Sequence, residues 1–289
     1  MSDLKAQRPV PALYIVATPI GHLDDITLRA LQVLRNVDRI LAEDTRHSAH
    51  LLQHFAIDRP MVSLHEHNEA ARVVQIMRWL DAGESLALIT DAGTPLISDP
   101  GFVVVRALRE QGYAVVPVPG VSAVITALCA AGLPSDRFQF IGFLPSKNGP
   151  RERVLTEALA YTGTTLCYES PRRMVETLEV LARLAPQRPL VIARELTKQF
   201  ETFLSGTADE LLRRLRDDTD QQRGEMVLLL HGQATETLAT EIDVDALLGL
   251  LAQYMPPKKA AGEAAQLLGG SKNALYARLL SGRDTPEST

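Results

Sequence analysis

Two carboxylates, a hydroxyl, a guanidinium and an imidazole stand in one run, Ala42-Glu43-Asp44-Thr45-Arg46-His47, at the end of a short apolar stretch. Carboxylates at a strand end are costly to bury unless paired. Glu43, Asp44 and Arg46 are therefore either an internal ion-pair scaffold or a reacting centre equipped for proton transfer. His47, His50 and His54 follow at i, i+3 and i+7, one face of a helix. That spacing suits a metal, but no further carboxylate or cysteine is spaced to close the shell, and a solvated or RNA-facing edge is the better reading.

Two more segments carry polar groups where apolar runs end. Thr18-Pro19-Ile20-Gly21-His22-Leu23-Asp24-Asp25-Ile26-Thr27 turns sharply, and Asp25 is placed to cap the helix that follows. Thr90-Asp91-Ala92-Gly93-Thr94-Pro95-Leu96-Ile97-Ser98-Asp99-Pro100-Gly101 is longer than most connections between buried elements. Its prolines stiffen it, and the amides beside Gly93 are open to close approach by a ligand. No G-x-G-x-x-G follows a strand and no G-x-x-x-x-G-K-[ST] occurs, so neither a dinucleotide fold nor a phosphate-cradling loop is supported.

The elements that must position these segments alternate. Strands are expected at Leu13–Ala17, Arg39–Ala42, Met61–Leu64, Leu86–Thr90 and Ala114–Val118. Helical periodicity falls between them at Ile26–Asn36, Ser48–Phe55, Glu69–Ala82 and Phe102–Gln111. Such alternation predicts an α/β fold with a mostly parallel sheet, whose ligands bind beyond the carboxyl ends of the strands. Pro117-Val118-Pro119-Gly120 reads as a domain hinge and Ser122–Ala131 as a small-residue helix. Strands at Phe138–Gly142, Thr164–Tyr168, Leu190–Ala193, Glu201–Leu204 and Met226–His231 predict a second sheet. Leu190–Ala193 and Glu201–Leu204 are too close for a crossover helix, so they should pair antiparallel. Gln233–Thr240 reads as a linker. Val244–Tyr254, Lys258–Leu268 and Lys272–Leu280 read as three helices, the last two joined by Gly269-Gly270 with Ser271 as a cap. This suggests a helix-turn-helix. Lys258, Lys259, Lys272, Arg278 and Arg283 make it locally basic, as either a docking bundle or an RNA contact.

Bulk properties narrow the class. The chain has 289 residues, 46% hydrophobic and 22% charged, a globular composition. Its net charge of −5 means that any nucleic acid must be held by local basic patches. No run approaches the roughly 20 apolar residues of a membrane span. Met1 to Pro11 lacks a secretory core, and Cys129 and Cys167 read as two reduced, buried thiols, so a cytoplasmic protein is expected.

Taken in order, Tyr14–Asp25, Glu43–Leu52, His65-Glu66-His67-Asn68, Asp91–Gly101, Pro119–Leu128 and Gly132–Pro145 resemble one family. Tyr168-Glu169-Ser170, Arg194-Glu195-Leu196-Thr197-Lys198 and Gly224-Glu225-Met226-Val227 extend the match, and Lys258–Ala261 and Lys272–Tyr276 look like its C-terminal helices. The family is the bacterial small-subunit ribosomal RNA cytidine 2′-O-methyltransferases, the RNA-modifying branch of the tetrapyrrole methylase superfamily. The resemblance covers about residues 12 to 282, and the joint order of the motifs is far more specific than any one of them. One departure is His22, where the family usually shows Asn, so no obligatory base is assigned there.

The resemblance implies two α/β domains, 12–120 and 121–232, with S-adenosyl-L-methionine in the cleft between them, and a helical tail at 243–282. Asp91, Ala92, Gly93, Thr94, Pro95, Ile97 and Ser98, with Ser122 and Ala123, would form one half of the pocket. Tyr168, Arg194, Glu195, Thr197, Glu225 and Val227 would form the other. It implies transfer of a methyl group to a cytidine ribose of 16S ribosomal RNA, as naked RNA or in the small subunit. Glu43 or Asp44 would remove the hydroxyl proton and Arg46 would orient the carboxylate or a phosphate. Lys147, Arg151, Arg153, Arg172, Arg173 and Lys198 are expected phosphate contacts, and loops at Glu43–Arg46 and His65–Asn68 are expected to face RNA. No metal and no membrane contact is expected; a homodimer is compatible with the Ala- and Leu-rich helices. The alternatives are a superfamily methylase acting on a tetrapyrrole carbon or a diphthamide precursor, and a non-catalytic RNA-binding module.

Overall fold

Short strands that change face at every residue build the first sheet. In the computed structural model, which describes residues 9–233, 244–268 and 270–281, these are β1 (Leu13–Val16), β2 (Arg39–Ala42), β3 (Met61–Ser63), β4 (Leu86–Ile89) and β5 (Val115–Val118). All pair parallel in the order β3-β2-β4-β1-β5. Tyr14, Val16, Ile40, Ala42, Ala87 and Ile89 pack on one face, beneath α1 (Leu28–Asn36) and α2 (Thr45–His54). Leu13, Leu41, Leu86 and Leu88 pack on the other, against α3 (Glu69–Asp81) and α4 (Phe102–Glu110). Burial on both faces explains why these strands read as apolar runs. β5 is an edge strand, which is where a ladder tolerates Pro117; the expected hinge therefore begins only after Val118.

β2, β4 and β1 are neighbours, so the loops after them lie side by side at one end of the sheet. These are the three polar segments picked out from residue type alone.

After α5 (Ala123–Ala130) comes a mixed sheet, ordered β6-β7-β10-β8-β9. Its strands are β6 (Phe138–Phe143), β7 (Thr164–Glu169), β8 (Leu190–Arg194), β9 (Thr202–Gly206) and β10 (Met226–Leu230). β6 and β7 are parallel, and β8 and β9 pair antiparallel, as their short separation required. One face packs on α6 (Asn148–Ala160), α7 (Pro171–Leu184) and α8 (Ala208–Asp217), helices that the sequence reading did not place. The other face carries Leu166, Val191, Ala193, Val227 and Leu229 against α5 and Ile20, joining the two sheets through an apolar seam.

Three expectations need correction. Thr27, not Asp25, caps α1: its hydroxyl accepts from the Ala30 amide, while Asp25 lies in a single 3-10 turn, Leu23–Asp25. Cys129 is exposed at the end of α5, whereas Cys167 is buried in the second sheet. Arg151 is not a free phosphate contact; its side chain is fully buried, pairs with Glu176 at 2.7 Å and donates to Asn148.

Both sheets belong to one unit, Met1–Gln233; the second unit is Ala234–Thr289. In the latter, α9 (Val244–Tyr254), α10 (Pro257–Leu268) and α11 (Lys272–Ser281) enclose Leu248, Ala260, Ala264 and Leu279. Arg278 is bound by both carboxylate oxygens of Asp245, at 2.7 and 2.8 Å, so of the tail's cations Lys258, Lys259 and Lys272 are the exposed lysines. The expected linker beyond Gln233, Gly269 and Arg283 lie outside the described residues. No helix among the described residues is long and apolar enough to cross a membrane.

Candidate functional site

The loops after β1, β2 and β4 are stitched together by their own polar groups. Thr18 and Gly93 exchange both backbone hydrogen bonds, at 2.9 and 3.0 Å. The Asp44 amide donates to the Asp91 carboxylate at 3.3 Å, and the Asp91 amide donates to Glu43 at 3.4 Å. The Thr94 hydroxyl donates to the Val121 carbonyl at 2.7 Å, fixing the third loop to the chain entering α5. Behind the loop, buried Glu69 accepts from the Gly101 amide at 2.9 Å. Gly101 sits at φ +121°, and a Cβ there would meet Leu88 Cδ2 at 2.7 Å, so the loop's exit needs glycine.

From the second sheet, the loop after β8 reaches back. The His22 amide donates to the Thr197 hydroxyl at 3.0 Å. Lys198 Nζ bridges Glu195 and Glu225, each at 3.0 Å, and these carboxylates outweigh burial, raising its pKa above the ordinary value. Of the five non-glycine residues with positive φ among the described residues, four (Leu96, Ser98, Glu195 and Thr197) lie in these two loops. Strained backbone that is held by its surroundings concentrates at ligand sites.

Between the loops lies a cavity of about 340 Å³, within the size range of small-molecule sites. Asp91, Ala92, Gly93, Thr94, Ile97, Ser98, Ser122 and Ala123 line it from the first half. Tyr168, Glu225 and Val227 line it from the second. Pro95, Arg194, Glu195 and Thr197 lie outside the lining. Arg194 is buried against Gln221 and the Arg223 carbonyl, while Glu195 and Thr197 are spent on Lys198 and His22. Glu43 lines the cavity; Asp44 and Arg46 do not.

The reason for that split is local. Asp44 is the N-cap of α2, accepting from the Arg46 and His47 amides, so the helix starts at Thr45 rather than Ser48. Those amides, with Arg46 at 3.5 Å, hold the Asp44 carboxyl below its ordinary pKa. Glu43 behaves oppositely: burial raises its carboxyl, and the Asp91 and Asp44 charges add to that against the pull of the Asp91 amide. Asp99, also on the cavity wall, is pushed up to about 6, first by burial and then by Glu43 and Asp91. Burial and the Asp99 and Glu225 charges raise the Tyr168 phenol to about 12, leaving it a hydrogen-bond donor near neutrality.

The sequence reading passed over Ile20, Phe143 and Ala193 as apolar walls; Leu196 and Met226, which also line the cavity, fall within the stretches Arg194–Thr197 and Glu225–Val227 that the resemblance implied. A register shift in β6 between Phe140 and Phe143 re-aims Phe143 toward the cavity, where its ring lies 5.1 Å from that of Tyr168. Nothing in the sequence marks that bulge except Gly142, at φ +71°. Glu169, Ser170 and Pro171 form the floor. Glu169 is buried and takes Arg173 and Thr177, which removes Arg173 from the phosphate contacts expected earlier. His22 caps the 3-10 turn, its Nδ1 accepting from the Asp24 amide at 3.2 Å, a role an Asn oxygen fills equally well. His65 is half-buried against Asn68; neither it nor Glu66, His67 or Asn68 lines this cavity. No group of three or more His, Cys, Asp or Glu among the described residues is arranged to hold a metal ion.

Comparison with known proteins agrees with this architecture. Residues 12–212 match the family model Tetrapyrrole (Corrin/Porphyrin) Methylases, and residues 239–283 match the RsmI C-terminal HTH domain. The chain is 49% identical over 265 residues to the ribosomal RNA small subunit methyltransferase I of Escherichia coli O157:H7, covering 91% of this chain and 93% of that protein. It is 49% identical to the protein of the same name from Haemophilus influenzae, covering 91% and 94%. Among solved structures, the methyltransferase CobJ superposes with a TM-score of 0.57 at 19% identity, over 79% of this chain and 97% of that one. Uroporphyrin-III C-methyl transferase from Thermus thermophilus, complexed with S-adenyl homocysteine, gives 0.52 at 19% identity, over 76% and 97%. The chain is thus a member of the tetrapyrrole methylase family, within its ribosomal RNA small subunit methyltransferase I group.

Proposed function

We propose that this chain methylates a cytidine ribose 2′-hydroxyl of 16S ribosomal RNA with S-adenosyl-L-methionine as donor. The carrying observation is the cavity itself, because its residues fit that cofactor. The Phe143 and Tyr168 rings, with the aliphatic Ile20, Leu196 and Val227, offer apolar walls to a heteroaromatic ring. The loop carrying Gly93, at φ +82°, borders the cavity, with the Gly93 amide and carbonyl themselves taken by Thr18. Glu43, Asp91, Asp99 and Glu225 ring the cavity with carboxylates suited to a cationic ligand. Kinship to proteins named for the small-subunit ribosomal RNA supplies the substrate class.

When bound, the cofactor supplies a methyl group on a sulfonium, already a good leaving group. The protein's task is then to position the sugar oxygen and remove its proton, and positioning alone is worth several kcal/mol. Glu43 takes that proton. It borders the cavity, its pKa is raised toward the working range, and the Asp91 amide holds one oxygen in place. Asp44 and Arg46 shape the start of α2. Asp91 and Glu225 hold the loops on either side, and Tyr168 keeps its proton as a donor.

The test is methyl transfer from labelled cofactor to small subunits from cells lacking the protein, with ribose methylation mapped by mass. Transfer to one cytidine is expected. With cofactor saturated, Glu43→Gln should lower turnover by about 100-fold or more, and Asp44→Asn by far less. If both variants keep near-normal turnover, neither carboxylate is the base. If the wild type binds the cofactor and methylates no RNA, the activity itself is wrong.

A further inference from the structure

A second cavity, about 580 Å³, adjoins the first and shares Ile20, Asp91, Ala92 and Glu225 with it. One wall is α2, which presents His47, His50, Ser48 and His54; Lys198 stands at the rim. We propose that this cavity is a ribonucleotide subsite: the α2 histidines take the phosphodiester of the target nucleotide, and the Ser48 hydroxyl takes a polar edge of its sugar or base. This rests on the activity proposed above and says where its RNA substrate sits.

Three observations support it. Ser48 is 2% exposed and lines this cavity, and its hydroxyl has no hydrogen-bond partner among the described residues. Buried polar groups are nearly always partnered, so a ligand atom is the natural occupant. Second, charge orients the occupant. Asp91 and Glu225 stand on the wall shared with the cofactor cavity and repel a phosphate there. Lys198 is already neutralised by Glu195 and Glu225. Of the side chains lining this cavity that can carry positive charge, the three α2 imidazoles are left, all exposed along one helix face. A nucleotide thus has its phosphate on α2 and its sugar toward the shared wall, beside Glu43. Third, a single-stranded target is held largely through backbone contacts, and the volume admits one nucleotide with part of a neighbour.

The experiment compares the wild type with H47E/H50E, H47Q/H50Q and Ser48→Ala. Three readouts are taken: fluorescence anisotropy of a labelled cytidine hexaribonucleotide, KM and kcat on small-subunit RNA, and calorimetry of S-adenosyl-L-methionine. Because His47 and His50 are exposed, their variants should melt like the wild type. H47E/H50E should weaken oligonucleotide binding and raise the RNA KM about tenfold or more, equivalent to about 1.4 kcal/mol, with H47Q/H50Q smaller in both. Ser48→Ala should lower kcat/KM about threefold or more without loss of Tm, since no internal bond is broken. Cofactor Kd should stay within about twofold throughout, because these side chains lie outside its cavity. Oligonucleotide and RNA constants within about twofold of wild type in all three variants overturn the subsite, even if the wild type methylates RNA normally. The anisotropy reading stands whether or not any RNA is methylated, so the two proposals fail separately.

Discussion

Glu169 is the residue whose removal the structure prices most directly. Its side chain is fully excluded from solvent and accepts from the Ser170 amide at 2.7 Å, Arg173 Nε at 2.8 Å and Thr177 Oγ1 at 2.7 Å. Arg173 Nη2 adds a contact at 2.6 Å. Replacing Glu169 by Ala strands the Arg173 guanidinium and the buried Thr177 hydroxyl together. Removing one partner of a buried ion pair costs about 3–5 kcal/mol. Arg173 keeps 25% of its side chain exposed, so water recovers part of its solvation and the low end applies, about 3 kcal/mol. For a unit of this size each kcal/mol moves Tm by about 2–4 °C, giving a fall of about 6–12 °C by calorimetry or by circular dichroism melting. In an Arg173→Met background the same substitution should cost at least about 1 kcal/mol less, because the stranded cation is gone. Since Glu169, Ser170 and Pro171 floor the cavity, cofactor affinity should fall with stability. A Tm loss under about 2 °C, or a loss unchanged by Arg173→Met, would refute the buried-pair account.

Asp99 should make stability fall with rising pH. Its ordinary pKa of 3.8 is raised to about 6 in the fold, so the folded state holds the proton more tightly and loses that advantage as pH climbs from about 4 to about 6. Asp99→Asn should therefore melt higher than wild type above pH 6 and equally near pH 4, read as Tm against pH. Gly101→Ala forces a Cβ into Leu88 at a positive φ; a loss of about 1–3 kcal/mol in urea unfolding and weaker cofactor binding are expected. Arg151 pairs with Glu176 but has Nε and Nη1 buried without partners among the described residues, so replacing the whole pair, Arg151→Met with Glu176→Met, should be within about 1 kcal/mol of wild type or more stable, measured by the same unfolding curves.

Residue type and spacing alone determined the alternation of strand and helix, the antiparallel β8–β9 pair, the three tail helices and the three polar loops. Each follows from short-range physics: apolar periods of 2 and 3.6, separations too brief for a crossover, and polar groups that an apolar strand end does not tolerate. Glu43, Asp91 and Gly93 stood in segments marked by the same physics, whereas Tyr168 and the grouping of these residues into one pocket came only from the resemblance. Tertiary structure alone decided what those side chains do. Asp44 looked equal to Glu43 until one became a helix cap and the other a half-buried wall. Arg151 and Arg173 looked like surface cations until Glu176 and Glu169 were seen to face them. Phe143 entered the cavity through a bulge, and the histidine face of α2 gained meaning once open volume appeared beside it. Burial, pairing and direction are properties of what lies across the gap, and a position along the chain does not carry them.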